Sequence, residues 1–117
     1  METILSVEHK VQLNDYIKTD RLNQEMLDTM LDYLLTLRTS ETTKELYLQR
    51  LRKFGLWLTE QGIERFTSVK KGDINSFLAT YDKNNTKNGY ITTIRLFYHD
   101  FLNKKDVVTD LKYTHTI

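Results

Sequence analysis

None of the 117 residues is proline, and only four are glycine. The usual share of proline is ~5%. Proline removes a backbone donor and breaks helix interiors, so a chain without it can run long helices between a few polar breaks. The apolar residues fall at the matching period. Leu27, Met30, Leu31, Leu34 and Leu37 recur at steps of three and four, which predicts a first helix over 22–38 with Asp20 or Asn23 at its start. A second helix is expected over 41–61, with Ser40 as N-cap, Glu41 in its positive first turn, and Tyr47, Leu48, Leu51, Phe54 and Leu58 inward. Gly62 is placed to end it in the left-handed conformation.

Residues 63–70 read as a connector that tucks Phe66 and Val69 inward. A short third helix over 71–81 buries Ile74, Phe77 and Leu78. After the polar loop at 82–85, Thr86 is expected to cap a fourth helix that runs to 103, with Ile91, Ile94, Phe97, Tyr98, Phe101 and Leu102 inward. The expected fold is all-α, a compact bundle of four main helices with short connections. Its limits are set at 21–105. Residues 1–20 sustain no period and are expected to form an N-terminal arm or a short helix. Residues 106–117 read as a C-terminal tail or linker.

Composition excludes several classes. With 39% apolar and 28% charged residues, disorder is not expected. The absence of cysteine rules out a disulfide scaffold or a Cys-ligated zinc site, and agrees with a reducing, cytoplasmic location. No run approaches the ~18 apolar residues of a spanning helix, and residues 1–10 lack the apolar centre of a signal peptide, so no membrane association is expected. The net charge of +1 is unevenly spread: residues 1–40 hold four basic and seven acidic side chains, residues 41–117 thirteen and nine. A mild positive bias in the second part is compatible with a nucleic-acid partner.

Three of the stripes carry a more particular spacing. The first is Thr43-x3-Tyr47-x3-Leu51-x2-Phe54-x2-Trp57-Leu58, followed by Gln61-Gly62-Ile63. Next come Val69-x3-Asp73-Ile74-x2-Phe77-Leu78, then Ile94-Arg95-x-Phe97-Tyr98-x2-Phe101-Leu102. In this order and at these separations they resemble the core-binding, SAM-like domain of tyrosine recombinases of the phage-integrase type, over about residues 22–112. The chain departs from that family at Lys70, where a Thr or Ser often caps the third helix, and in lacking the Asn-Pro pair after the fourth.

The resemblance implies a helical module that clamps one side of a DNA duplex with its second and fourth helices. The side of helix two turned away from its core carries Thr42, Thr43, Leu46, Gln49, Arg50 and Lys53. That of helix four carries Asn88, Thr92, Arg95 and His99, with Lys87 at its start. These eleven residues are the expected DNA contacts: hydroxyl, amide and cationic donors, with one aliphatic group suited to a thymine methyl. The stripes carry no carboxylate until Asp100, whereas a plain solvated face mixes both signs. The pairs Lys70-Lys71 and Lys104-Lys105 are further candidates for phosphate contact. Trp57, beside Leu58, is expected at the edge of the core.

In this family catalysis uses a tyrosine nucleophile, arginines, a lysine and a His-x-x-Arg segment, all in a second domain. Here His9, His99 and His115 begin no such segment, and no arginine cluster accompanies Tyr113. No histidine pair has metal-ligand spacing, and Gly55, Gly62, Gly72 and Gly89 stand singly, without a phosphate-binding loop. The expectation is therefore no catalytic residue, no metal and no cofactor, in a chain that stops near the linker to a catalytic domain. The expected partners are double-stranded DNA and, in a full-length recombinase, other protomers; the isolated domain is expected to be a monomer. The alternative is a helical protein-interaction domain with no nucleic-acid role.

Overall fold

A computed structural model describes residues 22–113. The arm or short helix expected for 1–20, and His115, lie outside the described residues. The fold is all-α, with four α-helices among the described residues: α1 (Gln24–Thr36), α2 (Glu41–Glu60), α3 (Lys71–Leu78) and α4 (Asn84–Arg95). The chain divides into two units between Phe66 and Thr67.

The first unit holds α1 and α2. Asn23 caps α1: its Oδ1 accepts from the Met26 N–H at 2.9 Å, while its Nδ2 donates to the Glu64 carbonyl at 2.7 Å. One side chain thus starts α1 and ties the chain after α2 to it. Ser40 caps α2, its Oγ accepting from the Thr43 N–H at 3.2 Å. At the other end Gly62 has φ +82°, its N–H donates to the Thr59 carbonyl, and the Ile63 N–H donates to Leu58. That pair of bonds is a Schellman motif, and it satisfies carbonyls that the helix end would otherwise leave open.

The buried side of α1 is Met26, Leu27, Met30, Tyr33 and Leu34; Leu31 and Leu37, expected inward, are half-buried. On α2 it is Leu48, Leu51, Phe54 and Leu58, with Tyr47 and Trp57 half-buried at the edge. Gly55 and Lys44 are also buried. A Cβ on Gly55 would lie 2.7 Å from Leu22 Cδ2 and 3.3 Å from the Phe66 ring, so only glycine lets α2 approach these side chains as closely. Lys44 lies within 3.7 Å of the Glu41 carboxylate. Phe66 stacks on Phe54 at 6.3 Å between ring centroids.

The second unit holds α3 and α4. The Asp73 carboxylate accepts from the Lys70 N–H at 2.9 Å, which is half of a capping box and needs no Thr or Ser at position 70. The third helix ends at Leu78, three residues short of the expected limit, and Tyr81 turns back to the core. Phe77, Tyr81 and Tyr90 form one aromatic cluster, with centroids 4.8–5.5 Å apart and the two phenol oxygens at 3.1 Å. Thr86 does not cap the fourth helix. The extended residue Lys83 occupies the cap position, its carbonyl accepting from the Lys87 N–H at 3.0 Å, so α4 begins three residues earlier.

α4 does not continue to 103 as an α-helix. Over Leu96–Phe101 it widens into a π-helix, with the Leu102 N–H donating to Phe97 five residues back at 2.9 Å. Asn103 then takes φ +56°, a left-handed conformation that asparagine tolerates, and the chain leaves the helix. Tyr90, Ile91, Thr93, Ile94, Phe97 and Tyr98 are buried, whereas Phe101 and Leu102 are half-buried. Beyond a 3₁₀ turn at Lys105–Val107, Val108 and Leu111 are buried.

Burial, aided by the charge of Asp73, holds the Tyr98 phenol well above its ordinary value near 10. The fold favours the neutral phenol, so this contribution is whole below the unfolded tyrosine value and is lost as pH rises through the folded one. Chemical denaturation from neutral pH to about pH 11 should therefore show an alkaline loss of stability that is shallower in Tyr98→Phe. Equal slopes in the two proteins would show that Tyr98 is not the group responsible.

Candidate nucleic-acid interface

Four of the six residues expected on the outward side of α2 fall along one line. At 100° per residue Thr42, Leu46, Gln49 and Lys53 cluster opposite Leu51 and Leu58, and all four are exposed, Leu46 by 41%. Thr43 and Arg50 flank the line and are half-buried. Thr43 serves the helix start, since its Oγ1 accepts from Ser40 Oγ at 3.0 Å. Exposed carboxylates border the line at Glu45 and end it at Glu60.

On α4 the expected residues divide into two groups. Lys87 and Asn88, in the first turns, are half-buried, and Lys87 lines a shallow depression with Asn75, Ala79 and Asp110. Thr92, Arg95 and His99 meet farther along, where they line a cleft of about 300 Å³ with Leu96, Asp100 and Tyr113. Arg95 and His99 are exposed and also border an adjoining cleft of about 430 Å³ that contains Lys105 and Thr109. The Asp100 carboxylate lies 2.7 Å from His99 Nδ1, so it offsets any charge that ring acquires and leaves Arg95 as the main cation of the first cleft.

Of the lysine pairs, Lys71 is engaged. Its ammonium lies 2.9 Å from the Asp110 carboxylate and, by that hydrogen bond and its charge, holds the carboxyl below the usual carboxylate range. Lys104 is half-buried and Lys105 exposed.

Tyr113 belongs to the cleft although no local pattern placed it there. Its hydroxyl lies 3.1 Å from Thr92 Oγ1 and its ring 5.5 Å from the Arg95 guanidinium carbon. Twenty-one positions separate the partners, beyond the reach of any periodicity. Among the described residues no three His, Asp or Glu side chains converge as a metal site, and no helix is long and apolar enough to cross a membrane.

Comparison with known families agrees with the helical order. The description "Phage integrase, N-terminal SAM-like domain" matches residues 27–105, most of the chain. The chain thus belongs to the phage integrase N-terminal SAM-like domain family, a non-catalytic domain of proteins that integrate and recombine DNA. Searches of curated proteins and of solved structures give no match.

Proposed function

We propose that this domain binds double-stranded DNA and positions it for strand exchange by a separate catalytic domain, alongside other protomers of the same recombinase. The observation that carries this reading is the exposed line Thr42, Leu46, Gln49 and Lys53 on α2, a helix of 20 residues, about 30 Å long. Its hydroxyl and amide suit phosphate oxygens or base edges, its ammonium suits a phosphate, and its aliphatic group suits a thymine methyl. Arg50, Thr43, Lys87, Asn88, Thr92, Arg95 and His99 complete the proposed contacts. The chemistry is that of holding DNA; strand cleavage is left to the separate domain.

Fluorescence anisotropy of a labelled duplex across a salt series tests the reading. A half-clamp should bind at the non-specific level, with Kd of ~10⁻⁴ to 10⁻⁶ M at physiological salt, and the affinity should fall steeply as salt rises. Lys53→Ala and Arg95→Ala should each reduce the magnitude of the salt slope by about one, and Arg38→Ala should leave it unchanged. Undetectable binding at low salt, even to the recombination site of the parent element, would sink the proposal in favour of a helical protein-interaction domain.

A further inference from the structure

We propose that Tyr113 is a positioning residue that completes a phosphate-binding cleft on α4, holding the Arg95 guanidinium with its donor edge turned to the ligand. The ligand class is a phosphate mono- or diester; that its carrier is the DNA backbone rests on the DNA-binding reading above.

The geometry is specific. The ring of Tyr113 faces the guanidinium at 5.5 Å, within the range of a cation–π contact. A contact of this kind made through the face of the planar group leaves its five N–H donors, which lie in the plane, available to a ligand. Arg95 accordingly remains exposed while its side chain is held. The ring is itself tethered. Thr92 Oγ1 donates to the Asn88 carbonyl at 3.0 Å, so the Tyr113 hydroxyl must be the donor in the 3.1 Å bond to Thr92. The segment leading to Tyr113 is anchored at two further points, the Lys71–Asp110 ion pair at 2.9 Å and the buried Leu111.

Beside this pair the cleft of about 300 Å³ is large enough for a phosphate group, with His99 on its wall. A flexible arginine loses side-chain freedom on binding; one already held by an aromatic ring loses less. Tyr113 thereby favours phosphate binding without touching the phosphate itself.

Two measurements separate this inference from the reading it rests on. The first is an NMR titration of the 117-residue chain with inorganic phosphate at constant ionic strength, following the Arg95 Nε–Hε resonance. It should shift and saturate in the parent and in Tyr113→Phe, which keeps the ring, but not in Tyr113→Leu. The second is duplex binding. Tyr113→Leu should weaken it about two- to fivefold, the range of an exposed cation–π contact, and should cause no further loss once Arg95→Ala is present. Thermal melting of each variant serves as the control for folding.

A Tyr113→Leu chain that binds phosphate and duplex as the parent does overturns the inference and leaves the DNA reading standing. Tighter duplex binding by that variant also overturns it, because the ring would then be an obstruction. A loss in Tyr113→Phe as large as in Tyr113→Leu removes the ring from the argument and overturns it as well. A phosphate response that depends on the ring, without duplex binding, keeps the cleft and discards DNA as the carrier.

Discussion

Replacing Phe54 with alanine should destabilise the chain by about 3–5 kcal/mol, the range for emptying the site of a buried aromatic ring. Phe54 is completely buried on α2, and its ring stacks on Phe66 in the connector that follows the helix. Its removal takes away packing against both the helix pair and the connector, and neighbouring side chains collapse only partly into such a gap. The adjacent residue provides the contrast. Lys53 is exposed, and Lys53→Ala should change stability by less than ~0.5 kcal/mol. Urea denaturation of the two variants measures both effects. Because the proposed DNA line is defined as the side of α2 opposite Phe54 and its neighbours, equal midpoints would invalidate the helix orientation and the contact residues with it.

The second large effect is expected at Gly55. Valine there should cost about 1–3 kcal/mol through overpacking, since the first added carbon already lies 2.7 Å from Leu22 and 3.3 Å from the Phe66 ring. Alanine is the informative comparison. It restores helix propensity worth ~1 kcal/mol, and the nearest atom it meets is the end of a leucine side chain, which can turn aside. Gly55→Ala should therefore lie well above Gly55→Val in denaturation midpoint. If valine were tolerated as well as alanine, α2 would not approach Leu22 and Phe66 as closely as described.

What was legible in the amino-acid order was whatever a local rule governs. Asn23, Ser40 and Gly62 act at the helix ends because their side chains, or the lack of one, suit a neighbouring backbone group two or three positions away. The inward residues Leu51, Phe54, Ile74, Phe77 and Ile94 follow from a period of 3.6, and all are buried. Failures arose where two local solutions compete or where the partner is remote. Thr86 is a good cap, but the extended backbone at Lys83 starts the helix first. Tyr33 and Tyr90, which the helical stripes did not include, are also buried. Of the six residues expected on the outward side of α2, Thr42, Leu46, Gln49 and Lys53 are exposed, whereas Thr43, part of the helix start, and Arg50 are half-buried. Tyr113, in a stretch without period, finds its partners only among side chains some twenty positions earlier.

The widened turn at Leu96–Phe101 has a consequence for chain length. A π-helical segment advances less along the axis for each residue than an α-helix, so it stores one surplus residue inside an otherwise regular rod. Deleting a single residue within it lets the segment relax into an ordinary α-helix with little change in reach. The same deletion among the α-helical turns before Arg95 would instead rotate every later side chain by about 100°. This part of the chain is therefore where the length of the sequence can change by one while the helix keeps its ends in place.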